Sequence, residues 1–126
     1  MGTPIDCIKL ADQIIERVKE NVDNLPEGSA IPCLAIVTIG EDEASRIYVG
    51  QKLKVATEIG FNVEHYHFSE KADVEDVANQ INLLNMDPTV HGIMVQLPVP
   101  AGFESIECLI KPEKDVDGLT SDSYRL

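Results

Sequence analysis

Residues 32–39, Pro-Cys-Leu-Ala-Ile-Val-Thr-Ile, form a nearly unbroken apolar run rich in β-branched side chains. A run of that kind reads as a strand covered on both faces, which places it at the centre of a parallel sheet. The rest of the chain must then supply a helical layer above and below it. Residues 6–25 do so on one side of the run: Leu10, Ala11, Ile14, Ile15, Val18 and Val22 recur at helical spacing among charged residues, as in an amphipathic helix. Residues 26–29, with Pro26 and Gly28, break it.

Beyond the run, residues 40–43 turn the chain into a second helix that ends at Gly60, a glycine placed to cap a helix C-terminus. Residues 61–68 alternate apolar with polar and predict a second strand, nearer a sheet edge. Asp73 can cap a third helix with Val74, Val77, Ala78, Ile81 and Leu84 on its apolar face, ended by Asp87 and Pro88. Residues 92–97 predict a short buried strand closing on Pro98 and Pro100, and residues 104–110 a short helix. Connections too long for hairpins make the strands parallel. The expected fold is a three-layer α/β/α domain with a mostly parallel sheet.

At 126 residues and 44% hydrophobic content the chain matches one domain with a real core, and two full domains would not fit. A net charge of −12 repels phosphate backbones and anionic lipid, so nucleic acid and membrane surfaces are not expected partners. Cys7, Cys33 and Cys108 are odd in number and lack a C-x-x-C pair, which argues against a disulfide framework or a zinc site and for a reducing compartment. With no signal peptide and no apolar run of membrane-spanning length, the expected location is cytoplasmic.

Ligands of open α/β sheets bind beyond the carboxyl ends of the strands, and three groups are expected on that rim. On the second helix, Tyr48 and Lys52 point the same way as Val49, Leu53, Ala56 and Ile59 at about 100° per residue. A lysine is thus set in an inward-facing stripe, whereas Lys54 falls opposite with Gln51 and Glu58. Two readings of Lys52 stand side by side. Either its stem snorkels over apolar surface, or its neighbours partly desolvate it and shift it toward the neutral amine, ready to exchange a proton. Gln96, at the end of an otherwise apolar strand, is either a strand-end hydrogen bonder or a partner whose amide oxygen accepts from the ammonium while its nitrogen donates to substrate. Tyr48 is a core aromatic or a stacking platform. Asp117, before Gly118, is a turn residue or a carboxylate able to grip an amidine-like N–H pair. His65 and His67 share a strand face, but no third ligand is positioned by spacing, so no metal is expected. The glycines form neither G-x-G-x-x-G nor a P-loop, and no dinucleotide or phosphate cradle is expected in this chain.

In order along the chain, Ser45-x-x-Tyr48-x-x-x-Lys52-x-Lys54, His91-Gly-Ile-Met-Val-Gln96-Leu97-Pro98-Val-Pro100 and Pro112-Glu-Lys-Asp115-Val-Asp117-Gly118 resemble the catalytic domain of the bifunctional methylenetetrahydrofolate dehydrogenase/methenyltetrahydrofolate cyclohydrolase family. Glu43 stands where the family's loop often has proline. The resemblance implies an amino-terminal, amino-acid-dehydrogenase-like α/β/α domain with about four strands, the fourth expected near residues 3–5. It implies oxidation of 5,10-methylenetetrahydrofolate with NADP or NAD and hydrolysis of the methenyl product to 10-formyltetrahydrofolate. It makes Lys52 the key residue of the hydrolysis, Gln96 its modulator, Tyr48 and the Leu97-Pro98 segment the lining of the folate site, and Asp117 the pterin anchor. It further implies that residues 1–126 are one folate-binding domain, that a Rossmann cofactor domain holding NAD(P) is absent from this chain, and that the complete enzyme is a homodimer. The alternative is a folate-binding module without turnover.

Overall fold

In the computed structural model, which describes residues 7–118, three helices and three parallel strands alternate along the chain. Helix α1 spans Cys7–Asp23, strand β1 Cys33–Ile39, helix α2 Glu43–Glu58, strand β2 Asn62–Phe68, helix α3 Val74–Met86 and strand β3 Gly92–Val95. Two 3-10 turns, Ile106–Leu109 and Pro112–Lys114, follow. Among the described residues the sheet order is β2-β1-β3, so the apolar run lies in the middle and β2 at an edge, where its alternation points. β1 runs parallel to both neighbours, with Ile36 paired to His65 on one side and Met94 on the other.

The pleat of β1 divides its side chains between two layers. Ala35, Val37 and Ile39 face α3 and the first 3-10 turn and pack with Val77, Ile81, Leu84, Phe103, Ile106 and Ile110. Ile36, on the opposite face, packs with Val49 of α2 and Met94 of β3. The three-layer expectation is met. Among the described residues the sheet has three strands, with one isolated parallel bridge, Ile93 to Asp115, on the outer side of β3. The strand expected near residues 3–5 lies outside the described residues.

Local signals account for the helix ends. Asp42 caps α2 by accepting from the Ser45 N–H at 2.7 Å. That bond favours the ionised carboxylate and holds the Asp42 pKa below the ordinary value. Asp73 caps α3 by accepting from the Glu75 N–H. Gly60 follows α2 at φ 90°, a left-handed turn that glycine adopts without Cβ strain. Lys114 reaches back to the other end of α3, its Nζ donating to the carbonyls of Leu84 at 2.8 Å and Asp87 at 2.7 Å, where a cation meets the negative end of the helix dipole.

Two expectations need correction. The apolar stripe of α1 is not a buried face: Leu10 and Ile14 remain about half exposed. Amphipathicity specifies a face but not the element that covers it, and no described residue covers the amino-terminal half of this one. The short helix expected over residues 104–110 is a 3-10 helix confined to Ile106–Leu109. The buried Asn85 ties this segment down, its Nδ2 donating to the Leu109 carbonyl at 2.7 Å and its Oδ1 accepting from the Lys111 N–H at 3.0 Å. Asn85→Ala orphans both backbone groups and should cost about 2 kcal/mol, read as a lower urea midpoint with unchanged slope.

Candidate active site at the carboxyl rim of the sheet

The site begins where β3 ends. The Gln96 backbone N–H still donates to the Val37 carbonyl at 3.0 Å, which fixes its Cα at the sheet rim. Its side chain then meets Lys52 of α2: Nζ donates to Oε1 at 3.0 Å, across 44 residues of sequence. A lysine ammonium can only donate, so this contact decides which end of the amide faces it. The amide nitrogen turns to the Leu97 carbonyl at 3.0 Å. One of its two N–H groups is thereby used internally, and one is left for a ligand, a sharper arrangement than the sequence reading gave.

The Leu97 carbonyl accepts a second hydrogen bond, from the Ser45 hydroxyl at 3.3 Å. Ser45 is buried in the first turn of α2 and fastens the helix that carries Lys52 to the segment that follows Gln96. The sequence reading gave Ser45 no role. A small hydroxyl residue buried at a helix start was the available signal. The peptide bond between Leu97 and Pro98 is cis.

Lys52 and Tyr48 do not lie in an inward stripe. The buried line of α2 runs through Ser45, Val49 and Ala56. At about 100° per residue Lys52 falls roughly 40° and Tyr48 roughly 80° to one side of it. Tyr48 is 55% exposed and the side chain of Lys52 is exposed, so the neighbours of Lys52 in this chain do not desolvate it. Both line a shallow apolar groove of about 380 Å³ with Leu34, Val55, Ile59 and Phe61.

Asp117 is exposed on the segment that bridges β3 at Asp115. Because the bridge is parallel, this segment runs toward the carboxyl end of β3, the end that carries Gln96. Asp115 Oδ1 accepts from the Gly118 N–H at 3.0 Å and closes the turn. The close approach depends on Gly92, whose missing Cβ would stand 2.6 Å from Val116 Cγ1. An isolated glycine opening an apolar strand signals such an approach.

A larger cavity, about 690 Å³, lies on the other flank of α2, lined by Arg46, Val49, Gly50 and Leu53 and sharing only Gln96 among the expected site residues. At its sheet end His65 and His67 both reach Thr38, and His67 also meets Glu41. Burial, with His67 second, lowers the pKa of His65. Among the described residues no three His, Cys, Asp or Glu side chains are grouped to hold a metal ion. Cys33 and Cys108 are free thiols, and no described helix is long and apolar enough to cross a membrane.

Comparison with known proteins places this geometry. Residues 5–117 match the family model described as tetrahydrofolate dehydrogenase/cyclohydrolase, catalytic domain. The bifunctional protein FolD of Chlamydia abortus is 41% identical over 120 residues, covering 94% of this chain and 39% of that protein. The crystal structure of the bifunctional methylenetetrahydrofolate dehydrogenase/cyclohydrolase from Campylobacter jejuni superposes with a TM-score of 0.87 at 35% identity, over 93% of this chain and 42% of that one. The Trypanosoma brucei methylenetetrahydrofolate dehydrogenase-cyclohydrolase, solved with NADP cofactor and inhibitor, gives a TM-score of 0.85 at 29% identity, over 93% of this chain and 41% of that one. The chain spans about two fifths of the length of the proteins it matches.

Proposed function

The chain belongs to the tetrahydrofolate dehydrogenase/cyclohydrolase family, and from that premise we propose that it is the folate-binding catalytic half of an enzyme that oxidises 5,10-methylenetetrahydrofolate with NAD(P) and hydrolyses the methenyl product to 10-formyltetrahydrofolate. The observation that carries the reading is the 3.0 Å contact between Lys52 and Gln96 at the carboxyl rim. Residues 1–126 form one domain in this reading, and the other wall of the cleft belongs to a cofactor domain outside it. The residues of this chain do not fit a dinucleotide, since no G-x-G-x-x-G is written in it, and no hydride step is derived from them.

The hydrolytic step follows from the chemistry of the rim. Methenyltetrahydrofolate is a delocalised cation, and an ammonium beside it is disfavoured by like charge. In this reading Lys52 takes the proton of the attacking water. Gln96 holds the amine in place through Oε1 and keeps one N–H for the substrate. Tyr48 offers its exposed ring face to the planar folate, beside the Leu97-Pro98 segment. Asp117 accepts a paired hydrogen bond from the amidine edge of the pterin. The partners are tetrahydrofolate derivatives, and the complete enzyme is a cytoplasmic homodimer. The net charge of −12 supports neither nucleic acid nor membrane as a partner.

The Asp117 role is tested by titrating the chain with 5,10-methenyltetrahydrofolate. Asp117→Asn keeps the shape of the turn but loses the charge, and should weaken binding about 10- to 100-fold. Equal affinity in both proteins removes Asp117 from the site, and no binding to either removes the folate reading itself.

A further inference from the structure

The polar end of the larger cavity is built in a way the folate site does not use. His65 Nε2 lies 2.9 Å, and His67 Nδ1 2.8 Å, from the same atom, Thr38 Oγ1. On its far side His67 Nε2 is 3.0 Å from Glu41 Oε1. An ionised carboxylate only accepts, so His67 carries its proton on Nε2 and presents the Nδ1 lone pair toward Thr38. The Thr38 hydroxyl donates to that lone pair and, having a single proton, accepts from His65. The result is a directed chain in which two imidazole nitrogens converge on one point and a carboxylate sets the His67 tautomer from behind; His65, which carries its proton on Nε2 in this chain, must shift it to Nδ1 for Nε2 to bind an ion. Metal-binding histidines are oriented by the same kind of carboxylate contact.

We propose that His65 and His67, oriented by Glu41, form a two-imidazole site for an exchangeable first-row transition-metal ion of the nickel, copper or zinc class. The two residues sit on one face of the edge strand β2, and both are exposed, so an ion can enter from the cavity. Thr38 Oγ1 marks the point the ion approaches, and the one other χ1 well that puts the Cβ hydrogen there, and not the methyl group, vacates it. With only two protein nitrogens, the remaining positions go to water or a small ligand, which makes the site exchangeable and not structural. Glu41, Asp42 and Glu43 stand at the cavity wall against the single cation of Arg46, a balance that favours a cation. Imidazole ligands select the ion class: affinity should rise from cobalt to nickel to copper and fall again at zinc, whereas magnesium and calcium require oxygen ligands and should not bind. The proposal stands apart from the folate reading and does not depend on it.

The test is calorimetric titration of the 126-residue chain with nickel, zinc and magnesium chlorides, with Cys7 and Cys108 replaced by serine so that thiols do not compete. One equivalent of nickel and of zinc should bind, and no magnesium. His65→Gln/His67→Gln, with its circular dichroism spectrum matching the parent, should abolish the heat. Glu41→Gln should weaken nickel about 10-fold or more by losing the orienting contact. Copper added to the parent should show nitrogen hyperfine coupling from two imidazoles in its electron paramagnetic resonance spectrum. Nickel binding retained in the double variant, absent from the parent, or matched by magnesium overturns the site.

Discussion

In the longer enzyme proposed above, Lys52→Met is expected to abolish hydrolysis of 5,10-methenyltetrahydrofolate while leaving the fold unchanged. Methionine keeps the length and apolar character of the lysine stem and removes only the amine. That amine is exposed and, among the described residues, donates to Gln96 Oε1, so its loss costs little stability. Loss of a positioned proton-transfer group lowers kcat by about 10²–10⁴. The measurement is the hydrolysis rate of wild type and variant, beside near-ultraviolet circular dichroism to confirm native packing. Wild-type hydrolysis by Lys52→Met would sink the assignment. Binding of the substrate with no hydrolysis above the uncatalysed rate in the wild type would instead favour a folate-binding module without turnover.

Ile36→Ala should be the most damaging conservative truncation for the same site, although Ile36 touches no expected ligand. It is fully buried on the face of β1 that receives α2, where it packs with Val49 and Met94. This is the smaller of the two core clusters, with few neighbours able to relax into the cavity that alanine would leave. A loss of about 3 kcal/mol is expected, seen as a lower urea midpoint with unchanged slope. Because Val49 anchors the helix that presents Lys52, the loosened seat should also weaken the 3.0 Å contact with Gln96 and reduce hydrolysis in parallel. A cost below about 1 kcal/mol, within the range of a well-tolerated core swap, would show that α2 is held mainly by its Asp42 cap and by the bond from Ser45 to Leu97.

Much of the architecture was legible because burial on two faces and burial on one leave different marks. The apolar run 32–39 read as central and the alternation over 61–68 as a strand nearer a sheet edge, and among the described residues the order is β2-β1-β3. Asp73 announced its helix through a short acceptor that satisfies an otherwise orphaned N–H group, and Asp42, which the sequence reading did not single out, does the same for α2. The short turns after β3 were less legible. Residues 104–110 carry helical spacing too brief to fix a helix type, and tertiary bonds from Asn85 decide their form.

The candidate site divides along the same line. Gln96 and Asp117 could be chosen by residue type and by their place after a strand and a short helix, Lys52 by its sector on the helix, and the family resemblance gave all three their roles. The depth of Lys52 could not, because about 100° per residue assigns a side chain to a sector of the helix while packing decides where the buried centre of that sector lies. Here Ser45, Val49 and Ala56 set the centre, and Lys52 stands at its margin. The convergence of His65 and His67 on Thr38 was also out of reach, since it depends on the register that pairs Ile36 with His65 and Thr38 with His67.

The sequence by itself determined the parallel α/β/α fold, the central place of residues 32–39, and the rim on which Lys52, Gln96 and Asp117 had to be sought. These follow from local periodicity and chain connectivity, which act over a few residues at a time. Tertiary structure alone decided that the Gln96 oxygen meets Lys52, that Ser45 fastens Leu97, that Gly92 admits Val116, and that two histidines share one hydroxyl. Each is a contact between residues distant in sequence, set within a few ångströms by packing and register, which no local pattern encodes.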